Sequence, residues 1–88
     1  MLKIMDCESD SGGVIAKLEG QICGPGVDVV RTYCEQAREN ESMLTLDMKE
    51  ISFLDSDAIA LLRQLTGRGV RLVNMTPFLN ELLKQYGF

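Results

Sequence analysis

The sequence predicts a small two-layer α/β domain: a four-stranded mixed sheet with about three helices packed mainly on one of its faces. Three observations carry this. Apolar residues recur with a period of two in some stretches and three to four in others, in the order strand, strand, helix, strand, helix, strand, helix. A short polar segment joins the first two strands, which points to an antiparallel hairpin, whereas helices separate the later strands, which requires parallel pairing through right-handed crossovers. Polar side chains take alternate strand positions (Lys17 and Glu19, Thr45 and Asp47, Arg71), so one sheet face is expected to be less well covered.

Taken in order, residues 2–6 alternate loosely as a first strand, residues 8–13 form a polar turn ending in two glycines, and residues 14–19 form the second strand. Residues 20–26 break the pattern. Gly24-Pro25-Gly26 resembles a phosphate cradle only superficially, because Pro25 has no N–H to donate and no Lys-Ser or Lys-Thr pair follows. A turn into the next helix is the better reading. That helix covers residues 27–39, with Val27, Val30, Cys34 and Ala37 on one face, Tyr33 beside them, and Asp28, Arg31, Glu35 and Arg38 toward water.

The stretch from Met43 to Leu65 organises the rest. In residues 43–48, Leu44, Leu46 and Met48 share one face while Thr45 and Asp47 take the other, which is the signature of a half-buried strand. After a short connection a helix begins, with Ala58, Leu61, Leu62 and Leu65 at helical spacing. Asp55-Ser56-Asp57 supplies its N-cap side chain and its first-turn carboxylates, which suit the positive end of the helix dipole. Gly67-Arg68-Gly69 stops this helix, and residues 70–75 form the last strand. Thr76-Pro77 opens a final helix with Phe78, Leu79, Leu82, Leu83 and Tyr86 on an apolar face and Gly87 as terminator.

At 88 residues, 45% hydrophobic and 25% charged, the chain is expected to be a single domain over residues 1–88, with no linker, repeat or low-complexity segment. A net charge of −4 and a pI near 4.6 disfavour nucleic acid and anionic membrane surfaces as partners. The longest apolar run, residues 58–62, falls far short of the roughly 20 residues a membrane span needs. Charged residues interrupt the only candidate signal region. Cys7, Cys23 and Cys34 are widely spaced and there is no histidine, so reduced thiols in a cytoplasmic protein are expected, with no metal site and no cofactor.

The motif L-D-M-(x4)-F-L-D-S-D-A-I-A-L-L resembles the signature of STAS domains, the fold of anti-sigma-factor antagonists and of the cytoplasmic tails of sulphate transporters. Asp47, Phe53, Leu54, Asp55, Ser56, Ile59, Ala60 and Leu62 carry the match, and the layout around them agrees with it. The resemblance implies a non-enzymatic, bacterial protein-binding module. Its expected partner is an anti-sigma kinase-type ATPase or, as an alternative, the ATPase of a lipid-transport ABC system. The implied docking and switch residues are Asp55, Ser56, Asp57, Ala58 and Ile59, with Gly24, Pro25 and Gly26 adjacent.

Two departures stand out. Asp57 occupies the position of the second hydroxyl residue, which a partner kinase phosphorylates in phosphoregulated members, and Ala58 stands where glycine is usual. A carboxylate cannot accept that phosphate, yet it carries one negative charge where phosphoserine carries about 1.5 to 2. Ser56 retains a hydroxyl, for which capping is the commoner use and a displaced phosphorylation the rarer one. From a different class, Asp55 and Asp57 also resemble the Asp-x-Asp of Mg²⁺-dependent phosphatases, but such enzymes need further acidic and lysine residues on a larger sheet. Arg63, Arg68 and Arg71 read as a solvated face that complements the helix dipole, with contact to an acidic partner as the lesser alternative.

Overall fold

A computed structural model of the chain describes residues 2–8, 13–39 and 43–87. The elements are β1 (Lys3–Glu8), β2 (Val14–Ile22), α1 (Pro25–Glu39), β3 (Leu44–Leu54), α2 (Ser56–Gly67), β4 (Arg71–Val73) and α3 (Pro77–Gln85). They build one four-stranded sheet in the order β1-β2-β3-β4. β1 runs antiparallel to β2, and β2, β3 and β4 are mutually parallel. The mixed sheet with three helices is therefore as expected. The predicted turn over residues 8–13 falls mostly on positions 9–12, outside the described residues, while Glu8 belongs to β1.

Successive right-handed crossovers that all step the same way across a sheet place their helices on the same face. The burial pattern agrees. Ala16, Leu46 and Leu72 pair across the sheet on the covered face, joined by Leu18 and Met48. The other face presents Met5, Lys17, Asp47 and Val73 in one row and Ile15, Thr45 and Arg71 in the next. Against the covered face the helices bring Val27, Val30 and Cys34 from α1, Ala58, Ile59, Leu61, Leu62 and Leu65 from α2, and Leu79 and Leu83 from α3. Among the described residues no polar or charged side chain is buried, so no polar desolvation cost is set against the apolar burial that holds the layers together.

Several boundaries differ from the sequence reading, and β3 differs most. It continues to Leu54, because two bulges absorb the residues that looked like a connection. Lys17 pairs with Asp47 but Glu19 with Glu50, and Gly20 pairs with Ile51 but Gln21 with Phe53, so one extra residue of β3 enters at each shift. Met48 is buried and Lys49 exposed at the first, which marks Lys49 as the extra residue there; Ser52 is the extra residue at the second. The apolar spacing consequently changes from two to three along Met48, Ile51 and Leu54, all of which are buried.

β1 and β2 also run longer than expected, β4 is shorter, and α1 begins at Pro25. α3 keeps Leu79 and Leu83 in the core, but Phe78 and Tyr86, expected on its apolar face, are 54% and 46% exposed. Phe78 sits about 100° round the helix from Leu79, off the buried stripe of Leu79 and Leu83, and Tyr86 follows the last helical residue.

The ends of α2 and α3 are closed as their sequences suggest. Arg68 caps α2, the Gly69 N–H reaches the Thr66 carbonyl at 3.1 Å, and the Val70 N–H reaches the Leu65 carbonyl at 3.0 Å. This is a Schellman closure with Gly69 at φ 97, and its usual apolar contact falls to buried Val70 and Leu65. Thr76 caps α3 by accepting from the Leu79 N–H at 3.2 Å, and Pro77 follows at the first helical position.

Candidate partner-docking site

Because β2, β3 and β4 are parallel and each leads into a helix, their C-terminal ends and all three helix starts share one edge of the domain. In open α/β sheets that edge is where ligands and partners are met. Here it carries Gly24-Pro25-Gly26 before and within α1, Asp55-Ser56-Asp57 at the start of α2, and residues 74–78 leading into α3.

Asp55 is the best-connected residue of this edge. Its backbone is extended, at φ −85 and ψ 177, as an N-cap requires. Its N–H donates to the Ile22 carbonyl at 3.2 Å, continuing the parallel ladder past the end of β3, and its own carbonyl accepts from Ile59 at 3.0 Å. The carboxylate is shared. Oδ1 accepts from the Ala58 N–H at 2.8 Å and Oδ2 accepts from the Gly24 N–H at 3.0 Å. Between the sequence's two candidate caps, Asp55 and Ser56, the cap is therefore Asp55.

The next two residues stand apart from this network. Ser56 and Asp57 are exposed, and neither side chain has a hydrogen bond or ion pair among the described residues. Ala58 and Ile59, expected near the same surface, are 0% and 2% exposed, which leaves them as the floor beneath it. Gly24 and Pro25 are exposed beside Asp55, and Gly26 is half-buried next to Leu2, 3.7 Å from where a Cβ would lie. Phe53, just before the site on the open sheet face, is 42% exposed.

The Asp55 carboxylate is oriented toward two backbone N–H groups, and no group of three or more metal-ligating side chains occurs among the described residues. That orientation does not match the open Asp-x-Asp pair a bridging Mg²⁺ requires. The arginines lie elsewhere. Arg63 donates to the Gly87 carbonyl at 2.9 Å, Arg68 caps the far end of α2, and Arg71 opens β4. Cys23 lies in the loop before α1, half-buried, and Cys34 is fully buried, its thiol pushed up to about 11 by that burial and, less strongly, by the Glu35 carboxylate. A thiol so held is protonated at neutral pH and a poor nucleophile.

Two features escape sequence reasoning. The Gly24 to Asp55 bond joins positions 31 apart, and no local pattern signals it. A groove of about 440 Å³ between β1 and α1, lined by Ile4, Asp28, Val29, Thr32, Tyr33 and Gln36, also appears only once the layers are assembled. Its one sequence signal is Val29, an apolar residue on the solvent side of α1 that is 51% exposed.

The fold and this edge define an α/β module of the STAS type. The sequence matches the STAS domain over residues 5–88, and the chain belongs to that family. Among solved structures it is similar to the anti-sigma-factor antagonist SpoIIAA in its unphosphorylated form, with a TM-score of 0.68 and 20% identity over 97% of this chain and 84% of that one. It is also similar to an antisigma-factor antagonist STAS domain from Rhodobacter sphaeroides, with a TM-score of 0.61 and 18% identity over 85% of this chain and 88% of that one. An uncharacterised protein from Shewanella loihica with a SpoIIAA-like fold matches at a TM-score of 0.61 and 13% identity, over 97% of this chain and 75% of that one. Comparison with curated protein sequences gives no match. At these identities the structural likeness speaks to the fold alone. No helix of the described residues is long and apolar enough to cross a membrane.

Proposed function

We propose that this domain is a non-enzymatic protein-binding module of the partner-switching kind, docking through the edge at the start of α2. The docking residues are Asp55, Ser56 and Asp57, floored by Ala58 and Ile59 and flanked by Gly24, Pro25 and Gly26. One observation carries the reading. The turn is tied down through Asp55, yet the two polar side chains that follow are exposed and serve no bond among the described residues.

Asp57 then acts as a permanent charge where phosphoregulated relatives carry a switchable hydroxyl. On the folded chain alone its effect is small, about 0.3–1 kcal/mol from the helix dipole. Against a partner surface shaped for a neutral serine, desolvating an unpaired carboxylate costs about 2–5 kcal/mol. Partner choice is therefore governed by this residue far more than stability is. The domain stands in one signalling state, the one that resembles the phosphorylated form.

Affinity capture from native lysate with wild type and Asp57→Ser side by side, read by mass spectrometry, tests this. The expected result is an anti-sigma kinase-type ATPase held by Asp57→Ser and released by wild type. Identical partners and affinities for both forms sink the fixed-charge reading. If both hold the same transporter ATPase, the edge is a constitutive docking surface.

A further inference from the structure

We propose that Asp55 is a positioning residue that makes the loop of residues 23–26 the second half of the docking surface, so that a partner reads loop and helix together. This rests on the docking edge proposed above. A capping role needs only the bond from Oδ1 to the Ala58 N–H, and a serine, threonine or asparagine supplies that equally well. The second bond, from Oδ2 to the Gly24 N–H, adds nothing to the first turn of α2; it holds the neighbouring loop at the level of that turn.

The loop is shaped for presentation. Gly24 sits at φ 53, in the left-handed region, and the Gly26 and Val27 N–H groups close back onto the Cys23 and Gly24 carbonyls at 3.0 and 3.1 Å. The turn therefore keeps its own hydrogen bonds inside and leaves Gly24 and Pro25 exposed beside Ser56 and Asp57. Area argues the same way. A specific protein interface takes about 800 Å² from each partner, more than one exposed helix turn offers, so an adjacent surface at fixed height has to share the contact. Only an acceptor with two separately aimed oxygens fixes that height and caps the helix at once. Aspartate supplies both; serine supplies one.

The test titrates each purified anti-sigma ATPase of the source genome by calorimetry against wild type, against Asp57→Ser, the form expected to hold it, and against Asp55→Ser, Pro25→Arg and Val70→Ala, each combined with Asp57→Ser. Adding Asp55→Ser retains a helix cap and is expected to weaken binding at least tenfold relative to Asp57→Ser alone, with the Gly24 amide signal displaced in the ¹H–¹⁵N spectrum and that of Ala58 little changed. Adding Pro25→Arg, at an exposed first-turn position, is expected to give a similar loss with at most a small fall in Tm from the lost proline. Adding Val70→Ala lowers Tm from a buried site at the opposite end and is expected to leave binding as in Asp57→Ser, which separates positioning from stability. Binding within twofold of Asp57→Ser after adding Asp55→Ser overturns the positioning role and leaves the docking edge standing, and so does unchanged binding after adding Pro25→Arg. If no ATPase binds wild type or Asp57→Ser, the docking edge falls, and the positioning role with it.

Discussion

Two glycines separated by Arg68 at the end of α2 are expected to respond with opposite sign to the same substitution. Gly67 is the last helical residue and Gly69 lies just beyond the cap, and a Cβ on either meets nothing within 4 Å. Side-chain crowding is therefore absent from both, and the backbone alone decides. At Gly67 an alanine lowers the entropy of the unfolded chain and favours the helix, a gain of about 0.5 kcal/mol at a helix end. At Gly69 the φ of 97 lies in the left-handed region, where a Cβ costs about 1–2 kcal/mol, offset in part by a gain of about 0.4–1 kcal/mol through the unfolded state. The net is a loss of about 1 kcal/mol. The two variants should differ by about 1.5 kcal/mol, or roughly 6–12 °C in Tm for a domain of this size. Urea denaturation followed by circular dichroism, with equal m-values for all forms, reads the difference as a midpoint gap of about 1.5 M if m is near 1 kcal/mol/M. Gly69→Asn should recover part of the loss, since asparagine tolerates this region. A neutral or stabilising Gly69→Ala refutes the Schellman closure as the reason for that glycine.

Two further outcomes concern the core. Cys34 has its thiol raised from 9.0 to about 11, so its contribution to stability is complete below pH 9 and is lost as pH rises from there toward 11, where the unfolded chain ionises first. That loss approaches about 2 kcal/mol, and urea midpoints at pH 8 and pH 10.5 should separate further for wild type than for Cys34→Ala; parallel behaviour of the two rules it out. Leu62→Ala empties a fully buried position of α2 and should cost about 2–5 kcal/mol in the same assay, whereas a loss under 1 kcal/mol would mean the helix layer does not pack there as described.

The fold was readable wherever one period held for several residues. Leu44, Leu46 and Met48 alternate cleanly, and Ala58, Leu61, Leu62 and Leu65 mark a helix without ambiguity; all seven are buried. The reading failed where a tertiary feature changed the period, at Lys49 and Ser52, since an inserted residue shifts the apolar spacing to three and imitates a turn. It failed at Phe78 and Tyr86 because hydrophobicity names a preference for burial, while position decides which residues obtain it: Phe78 lies off the buried stripe and Tyr86 beyond the helix end. At the candidate site the capping function of the acidic turn was legible, because capping is local. The half of the Asp55 carboxylate that serves Gly24 was not, because that bond depends on two strand ends lying side by side.

Those strand ends lie level because of the bulges. β2 has nine residues and β3 eleven, yet Val14 faces Leu44 at one end and Ile22 faces Leu54 at the other, the two surplus residues being taken up at Lys49 and Ser52. The bulges thus act as a buffer of strand length. Deleting Ser52 leaves Ile51 and Leu54 facing inward on either side of Phe53 and turns the second shift into regular pairing, Gly20 with Ile51, Gln21 with Phe53 and Ile22 with Leu54, so the start of α2 stays level with the loop before α1. A lineage can therefore gain or lose a residue of β3 at a bulge while the plane shared by that loop and the helix start is kept.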